Sequence, residues 1–210
     1  MNVRRSSAIE RASWHAADLV LAASVSYLAF ALIAYLFFPL SFSPGANWLS
    51  DLGSRVLNPN GSIAYRIGCA LTGTLLVAFF LDLTSWLARV TSGPRWPRLA
   101  LQGCGVLAGV ALILTAVFPI DQFGTHQFWS RVLYVSLGTA VAFSIIILWQ
   151  RLPTPVLVVG VLTWAVDIAS AVASHTTWLE WVVVGFILIY LNLIGVSSRL
   201  DRPAGARGSP

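Results

Sequence analysis

The chain has 210 residues, of which 57% are hydrophobic and only 10% are charged. Soluble domains carry about 25% charged residues, so this composition excludes an ordinary soluble globular domain. The formal net charge is +5 and every basic residue is an arginine. These arginines stand at the ends of apolar runs rather than along one helix or beside an aromatic platform, and we therefore expect no nucleic-acid partner.

The hydrophobic residues come in runs of about 20, the length at which a helix crosses the ~30 Å hydrocarbon core of a bilayer. Backbone groups in lipid must find their hydrogen bonds within the segment, which favours helices over an open sheet. The predicted helices cover residues 17–38, 63–88, 99–118, 128–149, 156–173 and 178–197. The sequence therefore predicts an all-α membrane protein, a bundle of six transmembrane helices. Its domains are a cytoplasmic N-terminal segment at 1–16, a transmembrane domain at 17–198 and a disordered tail at 199–210.

The arginines divide unevenly between the two sides of this bundle. One side has ten: Arg4, Arg5, Arg11, Arg89, Arg95, Arg98, Arg151, Arg199, Arg202 and Arg207. The opposite side has three: Arg55, Arg66 and Arg131. Because loops rich in arginine and lysine stay on the cytoplasmic side, we predict a plasma-membrane protein with both termini in the cytoplasm.

The longest polar interruption follows the first helix and reads NWLSDLGSRVLNPNGSIAYRIG, residues 47–68. Within it, Asp51 stands among Trp and Leu residues, a context typical of a carboxylate packed against the bundle. Arg66, near the start of the second helix, is its natural partner in a salt bridge, and an Asx-type turn is the other structural role open to Asp51. The NPNG segment at 58–61 is a turn signal.

Several ionisable residues fall on the predicted outer loops or within about one helical turn of them. They are Asp51, Arg66, Asp121, His126, Arg131, His175 and Glu180. Since few short loops share one end of a small bundle, several of these side chains must lie close together. They form either a polar pocket that binds a lipid headgroup or small amphiphile, with membrane lipids as partners, or a set of structural pairs that brace the loops.

An enzymatic alternative is a metal-assisted or acid–base lipid hydrolase that uses Asp51, His126 and His175. Histidine and carboxylate are zinc ligands, but the sequence contains no HExxH motif and no closely spaced histidine pair. It also lacks the GxSxG context of a nucleophilic serine. We therefore predict no metal and no cofactor, and the sequence favours a protein that is not an enzyme.

Asp18, Asp82 and Asp167 fall inside the predicted spans, and Asp18 can reach water at the inner end of the first helix. Asp167 lies near the middle of the fifth helix, and an ionisable residue at that depth is expected to face the bundle or a watery cavity. It shares a helical face with small and polar residues: Gly160, Thr163, Ser170 and Ser174. Asp167 could be a protonated acid in a hydrogen bond between helices, or the functional acid of a small transporter. Asp82 precedes Arg89 by seven residues on one face, and we expect Asp82 either to pair with Arg89 or to extend toward water at the inner end of the second helix.

Short motifs across residues 17–198 resemble a family of prokaryotic six-helix membrane proteins known as domain of unknown function 998. They are NWLSDLG with the following NPNG, the segment VFPIDQFGTHQFWSR, and the Leu-Glu-Trp start of the sixth helix. The matching positions are Ser50, Asp51, Gly53, Pro119, His126 and Glu180. That family is in turn distantly similar to Frag/DRAM-like membrane proteins, which are associated with lipid handling. The resemblance implies a lipid-related role by analogy, and it brings no established reaction.

Overall fold

The computed structural model describes residues 15–172 and 176–201, and these residues form helices and loops without a strand. The long helices are α1 (Ala16–Leu36), α2 (Ser62–Val90), α3 (Trp96–Val117), α4 (Phe123–Leu148), α5 (Thr154–Val172) and α6 (Thr177–Leu200). A short 3-10 helix, Leu49–Gly53, lies between α1 and α2. All six long helices are long and apolar enough to cross a membrane. The predicted all-α class and the six membrane-spanning helices are confirmed.

The six helices form a closed ring. Each packs against its neighbours in the chain, and α1 also packs against α6. Because successive helices run in opposite directions, the ring has two distinct ends. We call the end formed by residues 37–61, 118–122 and 176 the 3-10 end, and the end where α1 begins and α6 finishes the terminal end. The arginine distribution predicts that the 3-10 end lies outside the cell.

Glycines let α2 and α3 approach until their backbones touch. A Cβ atom built on Gly73 of α2 would lie 2.5 Å from the carbonyl oxygen of Gly109 on α3. A Cβ atom on Gly109 would lie 2.7 Å from the carbonyl oxygen of Gly73. Close packing through small residues is how membrane helices associate when lipid removes the hydrophobic driving force between them.

Hydrogen bonds and an ion pair close the ring at the terminal end. The Oδ2 atom of Asp82 accepts a hydrogen bond of 2.8 Å from the amide of Ala16, the first residue of α1. The predicted pairing of Asp82 with Arg89 is therefore wrong, because a helix start offers amides that have no partner within their own helix. Nearby, the guanidinium of Arg199 on α6 lies 3.0 Å from the carboxylate of Asp18 on α1.

Helix α4 begins at Phe123 rather than at residue 128 as predicted. The amide of Gln122 donates to the Pro119 carbonyl at 2.8 Å, and the amide of His126 donates to the Gln122 carbonyl at 3.0 Å. A tight turn therefore leads directly into a polar first turn of the helix, which hydropathy alone assigns to the loop. The consequence is that His126 belongs to α4 and not to the loop before it.

Candidate functional site

A cavity of about 80 Å³ lies inside the ring toward the 3-10 end. This is room for roughly five to eight water molecules. Its walls come from the 3-10 helix and from α1, α2, α3, α4 and α6, and no described residue of α5 lines it. Most of the lining is apolar, including Leu76, Leu112, Leu137 and Ile187. Polar side chains are added by Ser50, Arg66, His126, Ser130, Tyr134 and Glu180.

Glu180 joins the first turn of α6 to the 3-10 helix. Its Oε2 atom accepts a hydrogen bond of 2.7 Å from the amide of Leu49, which is 131 residues away in the chain. Amides at the start of a helix have no partner within it, and a carboxylate is a strong acceptor for them. Glu180 thereby holds Ser50 and Gly53 at the cavity.

Asp51 supports the same short helix from within. Its carboxylate is 8% exposed, and Oδ2 accepts a hydrogen bond of 3.0 Å from the amide of Trp48. Burial raises the pKa of Asp51 above its ordinary value, and the Trp48 hydrogen bond offsets part of that effect. The predicted salt bridge between Asp51 and Arg66 is wrong: the 3-10 turn presents a backbone amide to the carboxylate instead. Asp51 stabilises the loop beside the cavity and does not line it.

Asp121 ties the loop between α3 and α4 to the loop between α1 and α2. Its Oδ1 atom accepts from the hydroxyl of Ser54 at 2.6 Å, and its Oδ2 atom accepts from the amide of Arg55 at 2.7 Å. Partial burial acts to raise the pKa of Asp121, but these hydrogen bonds, together with the nearby Val56 amide and the charge of Arg55, outweigh it and hold the pKa below its ordinary value.

The lowered pKa predicts that acid loosens this connection. A carboxylate with a depressed folded-state pKa stabilises the fold above its unfolded pKa of about 3.9, and the stabilisation is lost as pH falls through the lower folded value. Hydrogen exchange of a peptide covering residues 53–58 should therefore lose protection between about pH 5 and about pH 2, after correction for intrinsic exchange. In Asp121→Asn that pH dependence should be absent. Equal pH profiles in the two proteins would contradict the prediction.

Arg66 is half-buried and brings a cation to the cavity wall. Its Nε atom donates to the carbonyl of Ala116 on α3 at 2.7 Å. No described residue accepts a hydrogen bond from its Nη atoms or forms an ion pair with it. Gly53 packs over the base of this side chain, since a Cβ atom there would lie 3.8 Å from the Arg66 Cγ atom.

His126 is a buried side chain in the cavity wall, with 7% of its surface exposed. Its Nδ1 atom lies 2.8 Å from the carbonyl oxygen of Phe118, so Nδ1 carries a proton and donates to that carbonyl. In the neutral ring Nε2 is then an acceptor. The carboxylates of Asp51 and Asp121 both interact electrostatically with the ring.

The cavity brings together Arg66, His126 and Glu180, three of the residues predicted from the sequence. Arg131 is exposed on α4 and does not line the cavity. His175 lies outside the described residues, so the hydrolase interpretation that uses it stays a prediction. Within residues 15–172 and 176–201, no group of three or more His, Cys, Asp or Glu side chains is arranged to hold a metal ion.

Sequence reasoning missed the tyrosine residues of the cavity and Ser130. The hydroxyls of Tyr27 on α1 and Tyr65 on α2 lie 3.0 Å apart in the wall. On α4, His126, Ser130 and Tyr134 follow one another at intervals of four and share one helical face. That spacing is visible in the sequence, but it becomes a signal only once α4 is known to begin before His126.

Asp167 lies apart from the cavity, where α5 packs against α4. Its side chain is 6% exposed, and its Oδ1 atom is buried without a hydrogen-bond partner among the described residues. A Cβ atom on Gly138 of α4 would overlap its Oδ2 atom, so the carboxyl group packs directly against the α4 backbone. Gly160 and Thr163 are buried on the same side of α5. The predicted inward face of α5 is confirmed at these positions, and a transport role for Asp167 stays a prediction.

Comparisons with protein-family models, with curated proteins and with solved structures find no match to this chain. The resemblance to the family of unknown function therefore rests on the motifs that suggested it, and it stays a prediction.

Proposed function

We propose that this membrane protein binds one end of a membrane amphiphile in the cavity at the 3-10 end. The observation that carries the proposal is the composition of the cavity wall inside a ring of membrane-spanning helices. Apolar side chains such as Leu76 and Ile187 form most of the wall. The polar part of the wall comes mainly from Arg66, His126, Glu180 and several hydroxyl groups. An amphiphile has both kinds of surface in one molecule, and mostly apolar pockets with a few polar groups are typical ligand sites.

The size of the cavity limits what it holds. Room for roughly five to eight water molecules suits a headgroup or a few methylene groups. It does not suit a whole lipid with two acyl chains, so the rest of the ligand would remain in the bilayer. Removing apolar surface from water contributes about 25 cal/mol per Å², which favours an amphiphile over a purely polar solute.

The predicted orientation and the family resemblance agree with this proposal. The arginine distribution would put the cavity in the outer half of the plasma membrane. The resemblance to the six-helix family of unknown function, and through it to Frag/DRAM-like proteins, also supports a lipid-related role. Both are parts of the proposal and await their own tests.

Filling the cavity should remove the bound amphiphile. Leu133 is a half-buried residue of α4 in the cavity wall, and Leu133→Trp would occupy the space that the ligand needs. We expect native mass spectrometry of the gently purified protein to show about one retained amphiphile per chain. Leu133→Trp should retain roughly tenfold less, as expected when about 1.4 kcal/mol or more of binding free energy is lost.

The matched control is Val135→Trp, two residues away on the same helix, where the side chain is 64% exposed on the outside of the ring. It adds the same ring system without touching the cavity and should retain lipid like the wild type. If the wild type retains no amphiphile, or if both tryptophan variants retain equal amounts, the proposed function is wrong.

A further inference from the structure

The acidic side chains at the 3-10 end accept hydrogen bonds from within the protein. Three carboxylates there accept hydrogen bonds from backbone amides of the loop between α1 and α2. The pairs are Asp51 with Trp48, Asp121 with Arg55, and Glu180 with Leu49. Amides satisfy these carboxylates in place of cationic side chains, so their role is to stabilise the loop.

The arginines at the same end form no ion pair with a described residue. In the part of the chain that the structure describes, the sole ion pair joins Arg199 to Asp18 at the terminal end. Arg55, Arg66 and Arg131 therefore have no ion-pair partner there, and Asp121 acts on Arg55 and Arg66 only at longer range. Among these three arginines only Arg66 lines the cavity.

Uncommitted hydrogen-bond donors lie in the same wall as Arg66. The hydroxyl groups of Ser50, Ser130 and Tyr134 make no hydrogen bond to any described residue. An arginine can only donate, and each hydroxyl can donate one hydrogen bond. The cavity thus offers a cation and several donors to a ligand, whereas its one carboxylate, from Glu180, is held by the Leu49 amide.

We infer that the ligand of this cavity carries a phosphate or similar oxyanion, bound by the Nη atoms of Arg66 and by the wall hydroxyl groups. The inference rests on the proposed function and narrows it to a ligand class. Guanidinium binds phosphate through parallel hydrogen bonds that are stronger than those between neutral groups. A cationic ligand would meet Arg66 without a free carboxylate to offset the repulsion. The phosphate belongs to a lipid headgroup or to a free anion, and the experiment separates these sources.

Two lipids with identical acyl chains, phosphatidate and diacylglycerol, differ only in the phosphate group. Offered together in detergent, they should compete for the purified protein, with phosphatidate retained about tenfold or more over diacylglycerol, because hydrogen bonds to a charged group reach that strength. Arg66→Gln should lose this preference. Arg66→Lys gives up the Nε hydrogen bond but keeps the charge, and it should retain a clear preference.

Two further variants separate recognition from folding. Arg131→Gln removes an exposed arginine of the same end and should leave the preference unchanged. Tyr134→Phe removes one wall hydroxyl and keeps the ring, and it should weaken phosphatidate retention severalfold. Melting temperatures near that of the wild type would exclude unfolding as the cause. Inorganic phosphate alone, measured by calorimetry, tests the free-anion source.

The outcomes distinguish the two proposals. Phosphatidate preference that depends on Arg66 supports both. Binding of inorganic phosphate that depends on Arg66, with no retained lipid, would support the oxyanion site and contradict the proposal that the cavity binds an amphiphile. Equal retention of phosphatidate and diacylglycerol, with both lost in Leu133→Trp, would support amphiphile binding and contradict the proposal that the ligand carries an oxyanion. Absence of any binding overturns both.

Discussion

Asn58→Ala is expected to lower the free energy of unfolding by about 3 kcal/mol or more. The Asn58 side chain is fully buried. Its Nδ2 atom donates to the carbonyls of Ala34 at 2.9 Å and Leu52 at 3.0 Å, and its Oδ1 atom accepts from the amide of Gly61 at 3.1 Å. Alanine would leave these three backbone groups without a partner, and a buried group left unsatisfied costs about 1–3 kcal/mol.

These hydrogen bonds connect the end of α1, the 3-10 helix and the start of α2, so the whole 3-10 end should loosen. Thermal unfolding in detergent, followed by circular dichroism, measures the effect. Asn60→Ala is the matched control: it changes an exposed asparagine of the same turn and should shift stability by no more than about 0.5 kcal/mol. The prediction fails if Asn58→Ala unfolds at the same temperature as Asn60→Ala.

Gly109→Ala is expected to destabilise the protein by about 1–3 kcal/mol, although alanine is the better helix former. The added methyl group would lie 2.7 Å from the Gly73 carbonyl oxygen and 2.8 Å from a Val77 methyl group, so α2 and α3 must separate. Gly103 lies on the same helix with no atom within 4 Å of an added Cβ.

Gly103→Ala should therefore stabilise the protein slightly, by up to about 1 kcal/mol from helix propensity alone. The two substitutions add the same methyl group to one helix and should move the unfolding temperature in opposite directions. A shift of the same sign and size in both variants would show that the contact between the α2 and α3 backbones does not limit the packing.

The six spans were predictable because a helix must be about 20 residues long and apolar to cross the hydrocarbon core, and runs of that length and composition are visible in the sequence. The start of α4 was not, because Thr125, His126 and Gln127 are polar and the helical state of residues 123–127 follows from a tight turn rather than from hydropathy. That error of five residues concealed the face shared by His126, Ser130 and Tyr134.

The partners of the charged residues were harder to predict than their grouping. Pairing Asp51 with Arg66 follows from opposite charge, yet Asp51 bonds the Trp48 amide and Arg66 bonds the Ala116 carbonyl. Backbone groups carry no signature in the sequence, so a rule based on side-chain charge overlooks them. The same limit applies to Glu180, whose partner is an amide 131 residues away.

The hydrogen bond between Glu180 and Leu49 joins two parts of the chain that are synthesised at different times. The ribosome delivers helices from the N-terminus onward, so the 3-10 helix is made 131 residues before its carboxylate partner. Until α6 inserts, the cavity lacks one wall and stands open to the lipid around it. In the finished ring α6 packs against α1, and its Glu180 side chain holds the loop between α1 and α2. We therefore expect a ligand taken from the bilayer to enter during biogenesis, before the finished ring limits its entry.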